Sequence, residues 1–122
     1  MINMQRPIVY IAGPMSDIDN YNKENFNKIA EIATNMGWIV LNPATLPLDM
    51  PSKNYMPICL AMLEQSDCMY LLPGSRDSKY KGVGAEIAYA RVQHITILED
   101  LEMLQQAYHS FVGDDEEQLS CL

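Results

Sequence analysis

The sequence predicts an α/β fold, in which helices cover both faces of a parallel sheet of four to five strands in a three-layer sandwich. Four short apolar runs alternate with segments of helical periodicity between residues 7 and 98. Strands and helices that alternate in this way favour parallel pairing through right-handed crossovers. The predicted sheet is therefore Rossmann-like or flavodoxin-like.

The predicted strands are continuous apolar runs, a pattern typical of strands buried on both faces. They cover residues 7–12, 38–41, 68–72 and 95–98. The first three are followed by Gly13-Pro14, Asn42-Pro43 and Pro73-Gly74. Proline and glycine interrupt a buried strand, so each dipeptide predicts a turn at the carboxyl end of its strand.

The first helix is predicted from apolar residues at helical spacing over about residues 20–36. Asp19 or Asn20 can cap its N-terminus, and Gly37 provides a left-handed stop. A capped amphipathic helix is therefore expected between the first two strands.

The second and third helices are predicted after the second and third strands. Asn54 can cap the second helix, and Pro57 is expected in its first turn, where a missing N–H costs little. The apolar stripe of this helix runs from Met56 to Leu63. The third helix is expected from Gly82 to about His94.

The C-terminal part of the chain is predicted to be one more helix and an acidic tail. Leu101, Leu104, Tyr108 and Phe111 form an apolar stripe, which requires a partner on the sheet or on another subunit. Residues 113–122 are expected to form the tail. We therefore treat residues 1–98 as an α/β domain and 99–122 as the C-terminal helix and tail of that same domain.

The charge distribution argues against nucleic acid and membrane partners. The net charge is −8, and residues 99–122 contain seven of the sixteen acidic residues but no Lys or Arg. Duplex DNA or RNA binding depends on neutralising many phosphates with basic side chains. No apolar run reaches the roughly 18 residues of a membrane span, and no signal peptide is evident. We expect a cytoplasmic protein.

The cysteines and histidines predict neither a metal site nor a disulfide framework. Cys59, Cys68 and Cys121 form no C-x-x-C pair, and His94 and His109 lack ligand spacing. Cys59 and Cys68 are expected to be small buried apolar residues, and Cys121 to be exposed. No dinucleotide or P-loop motif is present, so no cofactor is expected.

The candidate ligand site lies at the carboxyl ends of the strands, where open parallel sheets bind their ligands. Gly13 would let a ligand approach the backbone, although a tight strand-to-helix turn is the more common reason for one glycine. Arg76 could bind a phosphate, and Tyr21 could stack on a base. The full set of predicted ligand-binding residues is Ala12, Gly13, Pro14, Met15, Tyr21, Asn42, Pro43, Gly74, Ser75, Arg76, Gly84 and Glu86.

Glu86 is the candidate catalytic residue if the chain is an enzyme. It follows Gly84 on an otherwise small and apolar helix, and a fixed carboxylate can bind ribose hydroxyls or attack an anomeric carbon. The structural alternative is a Glu in the first turns of the helix, where its negative charge interacts favourably with the helix dipole. Asp67, at the opposite end of the sheet, is expected to be a turn residue.

The motifs at 10–14 and 84–90 resemble those of the nucleoside 2-deoxyribosyltransferase-like superfamily. The segments 42–47, 55–63 and 71–74 are similar to a phage and prophage branch that includes the second type of Thoeris anti-defence proteins. That resemblance implies a tetrameric protein that sequesters cyclic ADP-ribose signals or related cyclic nucleotides. Independently, the apolar stripes from Met56 to Leu63 and from Leu101 to Phe111 exceed what one small sheet can cover and predict a homo-oligomer, a dimer of dimers.

The resemblance also places Glu86 at the position of the transferase nucleophile. Transferases have an Asp and a Gly-Thr pair shortly before this Glu, whereas Asp77 lies nine residues upstream here. This departure favours non-catalytic sequestration over N-glycosidase or deoxyribosyltransferase activity. The third alternative is an interaction module with a vestigial pocket.

Overall fold

The structure is a computed structural model that describes residues 6–15 and 18–121, with the side chains of Ser52 and residues 114–121 outside the description. Its strands are β1 (Ile8–Ala12), β2 (Ile39–Leu41), β3 (Cys68–Leu71) and β4 (Thr96–Leu98). Its helices are α1 (Lys23–Met36), α2 (Ser52–Glu64), α3 (Lys81–Val92) and α4 (Leu101–Cys121). In the described part of the chain, no helix is long and apolar enough to cross a membrane.

The four strands form one parallel sheet in the order β2-β1-β3-β4. This is the flavodoxin-like order, in which the connections leave β1 and β3 in opposite directions. The carboxyl ends of β1 and β3 therefore flank the crevice in which such sheets bind ligands. The predicted α/β class is confirmed.

Alternate residues of β1 point into two separate cores. Val9 and Ile11 pack with α1 and α4 on one face of the sheet. Tyr10 and Ala12 pack with α2 and α3 on the other face. All four side chains are at most 1% exposed, so the sheet is the middle layer of three.

The start of the first helix differs from the prediction, because neither Asp19 nor Asn20 caps α1. Residues 20–22 have left-handed backbones, with φ of 52°, 54° and 62°, and α1 begins at Lys23. The Asn22 side chain donates to the carbonyl of Pro14 at 2.9 Å, which ties this turn to the end of β1. Asn22, at the N-cap position of α1, thus uses its side chain in a tertiary contact and does not cap the helix.

The start of the second helix was also predicted wrongly. The amide of Asn54 donates to the carbonyl of Pro51, so the helix is already formed at Ser52 and Asn54 lies inside it. Pro57 consequently lies in the helix interior, where it supplies no N–H for the carbonyl of Lys53. Pro51, directly before the helix start at Ser52, is a better signal than the asparagine.

The third helix ends earlier than expected. It stops at Val92, and His94 has a left-handed backbone with φ of 59°. The amide of Ile95 then donates to the carbonyl of Ala90, which turns the chain into β4. The predicted bounds of the strands are correct to within one residue at each end.

The helix α4 packs on the α1 side of the sheet within the same chain. Leu104 is fully buried, and the Tyr108 ring lies 5.8 Å from the ring of Trp38. Leu101 and Phe111 remain 44% and 51% exposed, so the sheet covers part of the predicted apolar stripe. The helical backbone continues to Cys121, through the segment predicted as a tail.

Candidate functional site

A buried Tyr–Glu pair lies between β1 and α3. Glu86 is 6% exposed and Tyr10 is 1% exposed. The Tyr10 hydroxyl donates to Oε2 of Glu86 at 2.5 Å. β1 and α3 thus bring together two residues that lie 76 positions apart in the sequence.

Burial controls the protonation of this pair. It raises the pKa of Glu86 to about 7, and the hydrogen bond from Tyr10 opposes this shift in part. Burial, and then the charge of Glu86, raise the pKa of Tyr10 far above its usual range. Tyr10 therefore remains a donor at all physiological pH values, while Glu86 titrates near neutrality.

Cys59 on α2 lies beside the same pair. Its side chain is half-buried, and burial raises the pKa of its thiol. Burial also raises the pKa of Cys68 to about 11. Neither thiol is activated for nucleophilic attack, which fits the prediction that they act as apolar residues. The side chain of Cys121 lies outside the described residues.

Tyr10 is the residue of this site that sequence reasoning missed. It was assigned to the core because it lies in an apolar strand. A buried tyrosine hydroxyl nevertheless requires a hydrogen-bond partner, and Tyr10 is two residues from the carboxyl end of β1. That requirement was the available signal.

Gly13 has a packing role in addition to the predicted ones. A Cβ on Gly13 would lie 2.7 Å from Cδ1 and 2.9 Å from Cβ of Leu72. The turn after β1 therefore packs directly against the chain after β3. A larger residue at position 13 would disturb the core as well as any ligand, so Gly13→Val cannot separate binding from folding.

Other predicted residues at the ends of β1 and β2 are engaged in local structure. Pro14 is buried and Met15 is half-buried. The Asn42 side chain caps the short 3-10 turn at Pro43–Thr45 by accepting the amide of Ala44 at 3.0 Å. Tyr21 differs from these, because it is 49% exposed on the left-handed turn before α1.

The loop after β3 is built by its own hydrogen bonds and one ion pair. Gly74 has a φ of 85°, which favours glycine. The buried Ser75 hydroxyl donates to the carbonyl of Leu72 at 2.5 Å. Arg76 donates to both carboxylate oxygens of Glu99 at 2.9 and 3.2 Å on the surface. Arg76 is thus held by a carboxylate of the same chain.

Two shallow clefts border this loop. The loop cleft, of ≈ 240 Å³, is lined by residues 71–77 and Glu99. The α3 cleft, of ≈ 270 Å³, is lined by residues 75–78, Tyr80, Lys81, Gly84, Ile87 and Arg91. Gly74, Ser75, Arg76 and Gly84 therefore belong to these clefts. Glu86 lies on the opposite flank of α3, so the predicted residues divide into two groups.

Residues 7–99 match the model of a family described as a domain of unknown function, DUF4406. The chain belongs to this family. The match extends from the start of β1 to Glu99, so both residue groups lie inside the DUF4406 region, whereas α4 follows it.

This DUF4406 chain is also similar in fold to a solved structure, a 2-deoxyribosyltransferase from Bacillus psychrosaccharolyticus. The TM-score is 0.61 with 13% sequence identity, over 75% of this chain and 70% of that chain. This likeness supports a nucleoside deoxyribosyltransferase-like fold. A comparison with curated proteins finds no match.

Proposed function

We propose that this chain binds a nucleoside or nucleotide with the sugar against Glu86, and that it holds the ligand without cleaving it. The hydrogen bond from Tyr10 to Glu86 is the observation that supports this proposal. It fixes one carboxyl oxygen, so that the other can accept a sugar hydroxyl in an apolar surrounding. Hydrogen bonds to a carboxylate are stronger there than in water.

Sequestration without turnover fits the groups around Glu86. With a pKa of about 7, its carboxyl is neutral in a large fraction of molecules at neutral pH, and a neutral carboxyl is a poor nucleophile. The Asp77 carboxylate, the nearest upstream acid, accepts the amide of Lys79 at 3.1 Å in the exposed loop. Asp77 therefore supports its own loop.

The resemblance to the phage branch specifies the ligand further. It points to a cyclic ADP-ribose-type signal, or a related cyclic nucleotide, whose capture would counter a bacterial anti-phage defence. The exposed Tyr21 offers a face on which a base could stack.

N-glycosidic cleavage is the second candidate function. The same Tyr10–Glu86 bond favours it, because the hydroxyl orients the ionised form of Glu86 for nucleophilic attack on an anomeric carbon. In this case Glu86 would form a bond to the sugar while the base leaves.

One experiment separates the two functions. The protein is mixed with cyclic ADP-ribose, a cyclic dinucleotide and adenosine in turn, filtered, denatured by heat, and its supernatant is chromatographed. We expect one intact ligand to be recovered in proportion to protein. Cleavage would be established instead by free base, or by linear ADP-ribose formed from cyclic ADP-ribose, in excess of one equivalent per chain in the filtrate and supernatant together.

Glu86→Gln tests whether the ligand binds at Glu86. Glu31→Gln, on the exposed surface of α1, is the control. We expect about a tenfold to hundredfold loss of affinity for Glu86→Gln, equivalent to a charged hydrogen bond of roughly 1.5–3 kcal/mol. The control should bind like the wild type. If no nucleoside or nucleotide binds, the interaction-module alternative is correct.

A further inference from the structure

The α3 cleft collects positive charge in an acidic protein. Arg76, Lys81 and Arg91 line it, against one acidic residue, Asp77. The whole chain has eight Lys and Arg residues and a net charge of −8. Three of its eight basic side chains thus converge on one cleft.

The cleft lies where the backbone also favours an anion. Lys81 begins α3, and the first turn contains no acidic residue. Free N–H groups and the positive end of the helix dipole make this turn unfavourable for a lysine unless an anion is nearby. A negative group bound at this turn would offset that effect and interact favourably with Lys81.

Gly84, Ile87 and Arg91 share one flank of α3, since they are spaced three and four residues apart. Helical side chains lean toward the N-terminus, which brings Arg91 along the cleft toward Lys81. A Cβ placed on Gly84 would meet no described atom within 4 Å. The floor between the basic residues is thus open.

We propose that the α3 cleft binds the phosphate group of a small phosphorylated molecule. Its ≈ 270 Å³ is below the roughly 300–1,000 Å³ of pockets that hold whole ligands, so it accommodates a phosphate or a short phosphate chain. Arg76 reaches the cleft despite its pairing with Glu99, because an exposed ion pair competes weakly with a multiply charged anion. This site is separate from the proposed sugar site at Glu86.

The test uses inorganic pyrophosphate, titrated by calorimetry and by NMR of the backbone amides. We expect saturable binding, with the largest amide shifts at residues 75–84. The double variant Lys81→Gln/Arg91→Gln should lose at least tenfold in affinity. Lys28→Gln/Lys53→Gln makes the same charge change on exposed positions of α1 and α2 and should bind like the wild type.

A variant that leaves the charges intact tests the cavity itself. Gly84→Leu fills the open floor and should abolish pyrophosphate binding without lowering the melting temperature. Ala85→Leu adds the same side chain at the exposed neighbouring position, which does not line the cleft, and should retain binding.

The outcomes separate this proposal from the proposed function. Glu86→Gln should bind pyrophosphate like the wild type, even if it loses a nucleoside. The same titration is repeated with adenosine monophosphate. If Glu86→Gln weakens this binding, the phosphate belongs to the ligand whose sugar contacts Glu86. If the affinity is unchanged, the phosphate belongs to a separate molecule. Absence of pyrophosphate binding to the wild type, or equal losses in both double variants, overturns the phosphate site.

Discussion

Glu86 is an acidic side chain held in the apolar core between α3 and the sheet. Burying this group destabilises the fold, because the carboxylate loses its contact with water. The hydrogen bond from Tyr10 offsets this loss in part. A core built for stability alone would place an apolar residue here. A carboxyl at this position fits the proposed sugar site at Glu86.

The raised pKa of Glu86 predicts a pH dependence of stability. Between about pH 4.5 and 7 the unfolded chain loses this proton while the folded chain retains it, so the stability falls as the pH rises and is level above this window. Glu86→Gln removes this dependence. The stability of the variant relative to the wild type should increase across the window by about 3 kcal/mol at most.

Urea denaturation from pH 4.5 to 8 measures this difference. Glu31→Gln, on the exposed surface of α1, serves as the control and should follow the wild type. A difference between Glu86→Gln and the wild type that stays constant over this range would contradict the assignment of the raised pKa.

At the scale of single elements, apolar patterning was more informative than capping residues. The strands were predicted to within one residue, because buried runs of β-branched and aromatic residues have few alternatives. The starts of α1 and α2 were wrong, because Asn22 is used in a bond to Pro14 and Pro51 precedes the helix that contains Asn54. Tertiary contacts of polar side chains leave no local signal.

Gly37, at the end of α1, and Gly84, inside α3, give opposite predictions. Gly37 has a φ of 121°, and a Cβ there would collide with the Tyr108 hydroxyl, so Gly37→Ala should destabilise by at least about 1 kcal/mol. Gly84 lies inside α3 with open space around it, so Gly84→Ala should stabilise by about 0.5–1 kcal/mol. Thermal and urea denaturation measure both. Equal effects of the two substitutions would show that these backbone conformations are misassigned.

For the whole molecule, the sequence predicts the layers better than the site. Alternating strands and helices permit few arrangements, so the three-layer sheet follows from the pattern. The division of the candidate residues between Glu86 and the α3 cleft depends on which flank of α3 each residue occupies. Tyr10 lies 76 residues before Glu86 in the sequence, so no local motif predicts that the two side chains meet.

The acidic segment after Gly113 is predicted to leave ligand binding unchanged. It carries the run Asp114-Asp115-Glu116-Glu117, which repels phosphates and offers them no donors. At 0.15 M salt, charges beyond roughly 8 Å are largely screened. A chain ending at Gly113 should therefore bind pyrophosphate and cyclic ADP-ribose with wild-type affinity by calorimetry. A large loss would show that this segment closes a site.

Exposed apolar residues on both outer layers predict a homo-oligomer, a dimer of dimers. Val92 on α3 is 71% exposed and Phe111 on α4 is 51% exposed, on opposite faces of the sheet. A dimer of dimers needs two distinct self-complementary contacts, and we expect one on each of these layers. In sedimentation at micromolar concentration, the wild type should be a tetramer, and Val92→Ser or Phe111→Ser should each give a dimer. Leu48→Ser, at a loop residue of 45% exposure, should leave the tetramer intact, whereas a monomeric wild type would refute the prediction.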